Sequence, residues 1–202
     1  MGYYVRVLST SAHCVSFSRL QSALEKEQSA ATLSIEAGEA DDWAQLTLAH
    51  ADGRAIASIE RDVVKEGSLA EEELAEFADE VVDCKPASAA KWLIEYFPRV
   101  KCIYAFQLLS GVYQPNGWEI LDAAKSCIWS AAPSIIQADN EGFSNEDGYH
   151  ILWQFNDSVD SDWSMAVLRD GQWQRFQMDL GDHKHRESFF AGEIPSGVKQ
   201  GD

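Results

Sequence analysis

Two short stretches combine residue types that could bind a metal ion. The first, "DNEGFSNEDGYH", runs from Asp139 to His150 and is rich in carboxylate and amide oxygens. A calcium-binding EF-hand loop needs glycine at its sixth position and a closing glutamate at its twelfth. These positions carry Ser144 and His150 when the loop begins at Asp139. We therefore predict a polar hairpin turn here, with Gly148 in the left-handed conformation.

The second stretch, "DHKHRE", begins at Asp182 and ends at Glu187. On an extended chain the side chains of His183 and His185 would point to the same side, and Asp182 or Glu187 could complete a set of three ligands for zinc or nickel. A metal-dependent hydrolase is therefore an alternative function. Exposed histidines that bind nothing are also common in polar segments beyond a last strand. We assign no metal, and Asp182, His183 and His185 remain weak candidates.

Other sequence patterns of catalysis are absent. Ser88 and Lys91 have the S-x-x-K spacing of penicillin-binding enzymes, but the chain lacks the S-D-N and K-T-G motifs that accompany it. A Gly-rich phosphate loop, G-x-S-x-G and H-E-x-x-H are also missing. The scattered cysteines are expected to be small buried hydrophobic residues in a reducing compartment: Cys14, Cys84, Cys102 and Cys127. We predict no catalytic residue and no cofactor, which favours a protein that is not an enzyme.

Polar and aromatic side chains alternate along the segment "QWQRFQM". Trp173, Arg175 and Gln177 would share one half-exposed face of a strand, because successive side chains of a strand point to opposite sides. An indole beside a guanidinium is suited to binding a small ligand, and amphipathic rings also occur at sheet rims without function. These residues are a weak candidate for a ligand site.

The negative charge of the chain is concentrated in one region. The net charge is −17, and residues 36–83 contain fifteen acidic residues against three basic ones. Such a field repels nucleic acid and anionic lipid and attracts basic proteins. No apolar run is long enough to span a membrane, and the N-terminus does not have the pattern of a signal peptide. We expect a soluble cytoplasmic protein that binds neither nucleic acid nor membranes; its oligomeric state is left open.

The segment "GSLAEEELAEFADEVVD" predicts an acidic amphipathic helix over residues 68–83. Ser68 and Glu71 have the spacing of a capping box, and apolar residues recur at helical spacing. The acids have no Lys or Arg four residues away in the helix, so repulsion between them is uncompensated. A purely solvated face is the alternative. We predict that these acids bind a basic protein, as an inhibitor or immunity protein would: Glu71, Glu72, Glu73, Glu76, Asp79, Glu80 and Asp83.

The elements that would position these residues can be predicted from periodicity and turn residues. The chain alternates runs of β-branched and aromatic residues with two-faced helical runs. Asp-Gly pairs at 52–53 and 170–171 predict two hairpins, Pro86 and Pro98 bound a helix, and Asn116 is expected to cap another. The apolar run at 100–110 predicts a central strand that is covered on both sides.

These elements predict an α+β fold with a largely antiparallel twisted sheet and helices packed on one face. The segments "DDWAQLTLAHADG" and "DSDWSMAVLRDG" resemble each other, which suggests two pseudo-repeated β-α-β-β-β(β) halves. We predict a first α+β half over residues 1–99, a second half over 100–181 that packs with it as one globular unit, and a polar C-terminal segment over 182–202. True duplication and chance similarity are both left open.

Overall fold

The structure, a computed structural model, describes residues 2–26 and 31–201. Met1, residues 27–30 and Asp202, which belong to the predicted first half and the C-terminal segment, lie outside the described residues. Within those ranges the chain forms five α-helices and an eleven-strand, mostly antiparallel open sheet. The predicted α+β class is therefore confirmed, while the two-repeat arrangement and the placement of the helices on one face stay predictions. No helix in the described ranges is long and apolar enough to cross a membrane.

Strands and helices alternate irregularly along the chain. The strands are β1 (Tyr4–Ser9), β2 (Ala31–Glu39), β3 (Asp42–His50), β4 (Ala55–Val63), β5 (Cys102–Leu108), β6 (Ser134–Ala138), β7 (Gly142–Ser144), β8 (His150–Trp153), β9 (Asp162–Arg169), β10 (Gln172–Asp179) and β11 (Lys199–Gln200). The helices are α1 (Phe17–Lys26), α2 (Leu69–Val81), α3 (Ala87–Tyr96), α4 (Gly117–Trp129) and α5 (His183–Phe190). Short 3₁₀ turns cover Phe97–Arg99 and Ser110–Tyr113.

The chain divides into two compact units, and each is built from two separate segments. Residues 1–71 and 100–136 form the first unit, and residues 72–99 and 137–202 form the second. The units are therefore interleaved along the sequence, whereas the predicted boundaries followed the order of the chain.

The central strand of the first unit is β5. It pairs antiparallel with β1 on one side and with β4 on the other, and β3 and β2 follow β4. Most residues of β5 are buried, which confirms the prediction of a covered strand and explains its apolar character on both faces. The predicted hairpin joins β3 to β4, with Gly53 at a φ of +86°.

The core of the first unit lies around Trp43 and Tyr104, whose ring centroids are 5.7 Å apart. Helix α1 buries Leu20 and Leu24.

The predicted capping of α4 by Asn116 is wrong, because the expected side-chain hydrogen bond is not formed. Asn116 stands at the N-cap position, but it has a φ of +64° and its side chain makes no capping hydrogen bond. N-cap residues normally have extended backbone, which lets the side chain reach the N–H groups of the first turn.

In the second unit β10 pairs antiparallel with β9 and β11, and β7 pairs antiparallel with β8. The predicted turn between β9 and β10 is confirmed: Asp170 and Gly171 both have positive φ, as a two-residue type I′ turn requires. A cluster of fully buried side chains forms the core: Met165, Val167, Phe176, Met178, Leu180 and Phe189.

The polar C-terminal segment contains a helix with a buried arginine. In α5, Phe189 is fully buried and Arg186 is 7% exposed. The Arg186 guanidinium donates to the carbonyl oxygens of Asp157 at 3.0 Å and Val159 at 2.6 Å, and its Nε donates to that of Leu180. A buried charge is tolerated when its donors are satisfied in this way. Arg186 therefore attaches α5 to the segment before β9.

Candidate functional site

Helix α2 begins with the capping arrangement that its sequence predicts. The Ser68 hydroxyl accepts a hydrogen bond from the Glu71 N–H at 3.2 Å. The Glu71 carboxylate accepts in return from the Gly67 N–H at 2.7 Å, one residue before the donor of a standard capping box. Asp62 accepts from the Ala70 N–H at 2.8 Å. The Gly67 and Ala70 N–H groups are thereby bonded to side chains, the Glu71 N–H is shared between the hydroxyl and the carbonyl oxygen of Ser68, and Glu71 acts as a structural cap.

One side of α2 is buried in an aromatic core. Leu74, Phe77 and Val81 are each at most 8% exposed. The Phe77 ring meets Phe143 edge to face at a centroid distance of 5.6 Å and lies 6.4 Å from Phe97. Burial of these side chains fixes the rotation of the helix, so the opposite side must face solvent.

The solvent side of α2 carries four aligned carboxylates. Glu72, Glu76, Asp79 and Glu80 follow the spacing i, i+4, i+7 and i+8, which places them on one helical face, and all four are exposed. We call these four residues the acidic ridge. Among the other predicted acids, Asp83 is exposed beyond the end of the helix and Glu73 is half-buried.

In the part of the chain that the structure describes, no counter-ion pairs with the acidic ridge. The ion pairs in residues 2–26 and 31–201 join other groups, and none of them includes Glu72, Glu76, Asp79 or Glu80. The pKa of the neighbouring Cys84 thiol is raised above its ordinary value. The main cause is burial, and the negative charges of Glu80 and Asp83 act in the same direction. Cys84 is therefore a protonated thiol beside the ridge at neutral pH.

Two exposed apolar side chains lie at the ends of α2. Leu69 is 76% exposed and Val82 is 58% exposed. Leu69 precedes Glu72 by three residues and Glu76 by seven, so it shares the face of the acidic ridge. The amphipathic pattern of the sequence gives no reason for these residues to be apolar, and sequence reasoning did not select them.

The loop within Asp139–His150 is a turn, as predicted. The Asn145 Oδ1 atom accepts from the N–H groups of Asp147 at 3.1 Å and Tyr149 at 3.0 Å, and Gly148 has a φ of +82°. Two of its carboxylates are ion-paired, Asp147 with Arg175 at 2.7 Å and Glu146 with Arg99 at 3.7 Å. A short strand, β7, precedes the turn where the sequence predicted only loop.

The predicted geometry of the histidine segment is wrong. Residues 183–190 form helix α5. His183 and His185 are two residues apart, so they are separated by about 200° around the helix axis and lie on opposite faces. The Asp182 carboxylate is the N-cap and accepts from the N–H groups of Lys184 at 2.8 Å and His185 at 3.3 Å. Among the described residues no group of three His, Cys, Asp or Glu side chains could hold a metal ion. We do not carry the hydrolase hypothesis further.

Trp173 and Arg175 line one small cavity of about 190 Å³ together with Ile194. The guanidinium of Arg175 is held by Asp147 and lies 5.2 Å from the centre of the Tyr149 ring. Trp173 meets Trp92 edge to face at 5.2 Å. Gln177 is exposed on the same strand and pairs with Lys199 of β11, outside this cavity.

The other cavities described are lined by residues outside the acidic ridge. The largest, about 620 Å³, is lined by residues of α1 and α4, and one of about 400 Å³ is lined by residues near Ser88 and Arg169. A cavity of about 220 Å³ lies beside the serine-rich segment "STSAHCVS" that joins β1 to α1. No ridge residue lines any of them. Sequence reasoning did not select the segment "STSAHCVS", although its many hydroxyl side chains are visible in the sequence.

Comparison of the chain with protein-family models, with curated proteins and with solved structures found no match.

Proposed function

We propose that the protein binds a basic protein partner through the acidic ridge, as an inhibitor or immunity protein does. The observation that supports this is the alignment of four exposed carboxylates on one face of a well-anchored helix, without a counter-ion in the described ion pairs. Aligned like charges repel one another, and a cationic partner would relieve that repulsion.

The electrostatics of such a site would act mainly on the rate of association. Complementary charge steers encounters and raises association rates by about 10- to 1,000-fold, and the gain falls as salt is added. Because exposed ion pairs add little affinity, the bound complex also needs desolvated apolar contacts. Leu69 lies on the same face as the ridge and is suited to that role.

The test uses charge reversal at matched positions. One variant carries Glu72→Lys, Glu76→Lys and Glu80→Lys, and its control carries Asp157→Lys, Asp160→Lys and Asp162→Lys, three exposed acids elsewhere in the second unit. Both variants change the net charge equally. A basic partner is first isolated by affinity capture at low ionic strength, and its association with each variant is then followed by stopped-flow fluorescence.

We expect the ridge variant to associate at least about 10-fold more slowly and to lose most of its salt dependence, while the control keeps both. Equal slowing of the two variants would mean that net charge alone is sensed, which contradicts a site on α2. Failure to capture any basic partner at low salt would also remove the proposal.

A small-ligand site is the second candidate, and the cavity shared by Trp173 and Arg175 is the observation that favours it. Its volume is below the roughly 300 Å³ of ordinary ligand pockets, so the ligand would be small. Tryptophan fluorescence should then change on addition of a small anionic metabolite, and the change should be lost in the Arg175→Gln variant. Equal responses of the two proteins would exclude the site.

A further inference from the structure

The loop between β1 and α1 borders a cavity of about 220 Å³ within the first unit. The polar residues that line it are Ser9, Ser11, His13, Ser16, Arg19 and Tyr104. We call this the Ser9–Arg19 cavity. Its remaining walls are the thiol of Cys14 and apolar side chains, which include Ile128 at the end of α4.

Side chains from three strands donate hydrogen bonds to backbone carbonyl groups of this loop. The Tyr104 hydroxyl donates to the His13 carbonyl at 3.1 Å, and the Trp43 indole donates to that of Val15 at 2.7 Å. Arg61 donates to the Ala12 carbonyl at 3.0 Å. These loop acceptors are therefore already bonded, which reduces the number of acceptor groups that could repel an anion in the cavity.

Ser9, the last residue of β1, and Ser11, in the loop, each keep a proton to donate. The Ser9 hydroxyl accepts from the Ser11 N–H at 3.2 Å, and the Ser11 hydroxyl accepts from the His13 N–H at 3.2 Å. A hydroxyl that accepts one bond still has its own O–H donor. Within the described part of the chain both hydroxyls act as acceptors, and neither spends its proton on these bonds. Both can therefore donate to a ligand.

The charge of the lining has the sign opposite to that of the protein. The chain has 33 acidic residues and 16 Lys and Arg residues, yet no carboxylate is among the residues that line the Ser9–Arg19 cavity, whereas Arg19 is. Helix α1 begins beside Ser16 and has no acidic residue in its first turn. The positive end of its dipole adds to the charge of Arg19.

We propose that the Ser9–Arg19 cavity binds a small oxyanion, namely a phosphate group, either as the free ion or as a small phosphate monoester. Serine hydroxyls and an arginine are the donors that phosphate oxygens prefer. The cavity is smaller than the 300–1,000 Å³ of sites for drug-sized ligands, which limits the ester to a small molecule. This site shares no residue with the acidic ridge, so it does not depend on the proposed function.

The test is a titration with inorganic phosphate and, separately, with glycerol 3-phosphate at pH 7, followed by calorimetry and by amide chemical shifts. Saturable binding should shift the amides of residues 9–16. Arg19→Gln should weaken binding at least about 10-fold, because it removes a charge-assisted hydrogen bond. Lys91→Gln removes the same charge from an 81% exposed side chain in the other unit and should leave binding unchanged.

The Arg19 side chain is exposed, and Arg19→Lys, which keeps the charge, serves as the second variant. It should bind more tightly than Arg19→Gln. If glycerol 3-phosphate binds more tightly than inorganic phosphate, the ligand is an ester. If the two bind equally, the ligand is the free ion. Both results support the site. Absence of saturation, shifts confined to other residues, or equal loss in the Arg19→Gln and Lys91→Gln variants would overturn it.

Discussion

The Tyr104 hydroxyl, in β5, donates a hydrogen bond to the carbonyl oxygen of His13 at 3.1 Å, across 91 residues of chain. The Tyr104 hydroxyl oxygen in turn accepts from the Val15 N–H at 3.4 Å. Burial raises the pKa of Tyr104 well above its ordinary value, so the hydroxyl is protonated and can donate at neutral pH. The loop between β1 and α1 therefore depends on a side chain that is distant in sequence.

Tyr104→Phe should lower the free energy of unfolding by about 1–2 kcal/mol, because the His13 carbonyl and the Val15 N–H lose their partner in a buried setting. Urea unfolding measures the change. Tyr113→Phe is the control, since Tyr113 is 72% exposed, and it should change stability by less than about 0.5 kcal/mol. Equal effects of the two substitutions would contradict this role of Tyr104.

Ser68→Ala should lower the free energy of unfolding by about 1 kcal/mol, because the Ser68 hydroxyl accepts from the N–H groups of both Glu71 and Lys65. Hydrogen exchange should also become faster in the first turn of α2. Ser126→Ala, on the exposed side of α4, is the matched control and should be neutral or slightly stabilising. Unchanged exchange in α2 would show that the cap is not needed.

Arg186→Lys should lower the free energy of unfolding by about 3 kcal/mol, because an ammonium group cannot reproduce the planar fork that serves three carbonyl oxygens. Amide exchange in residues 157–161 should accelerate along with it. Arg169→Lys is the control, since Arg169 is exposed at the end of β9, and little change is expected. A stability loss as small as that of the control would refute the structural role of Arg186.

Stability should fall when the pH is lowered from 6.5 toward 4. His150 is fully buried, and its ring packs against Phe155 and Trp163 at centroid distances of 4.8 and 5.5 Å. Burial lowers the pKa of His150 from 6.5 to about 4. In this window the unfolded chain binds the proton and the folded chain does not, so acid favours unfolding. From pH 7 to pH 5 the loss from this residue is about 2 kcal/mol.

Urea unfolding at a series of pH values measures this dependence, and imidazole NMR signals locate the midpoint for His150. The lowered pKa values of Asp52 and Asp182 act in the same direction, but mainly below about pH 4, so they contribute little over most of this window. A flat stability profile between pH 6.5 and 4, or a His150 midpoint near 6.5, would contradict the prediction.

Local patterns predicted the elements whose interactions are near in sequence. The cap of α2 joins Ser68 to Glu71, three residues apart, and the turn at Asp170 and Gly171 is formed by its own two residues. The burial of Phe77 and the exposure of Glu76 follow from helical periodicity in the same way. Such features need no knowledge of distant residues.

The limits of sequence reasoning are clearest in the C-terminal segment. "DHKHRE" is polar and follows the last strand that the sequence predicts, a pattern that favours an extended chain with two histidines on one side. The segment is helical because Asp182 caps it and because Phe189 and Arg186 are buried against distant residues. Which carbonyl groups lie within reach of a guanidinium cannot be read from one segment.

The sequence by itself therefore determined the α+β class, the hairpins and the acidic face of α2, since propensity, periodicity and capping act over a few residues. Only the tertiary structure decided that His183 and His185 point apart, that Arg186 is buried, and that Tyr104 holds the loop beside Ser9. The physical reason is that these contacts join groups far apart in the chain. Their existence depends on how strands and helices pack, which no local pattern encodes.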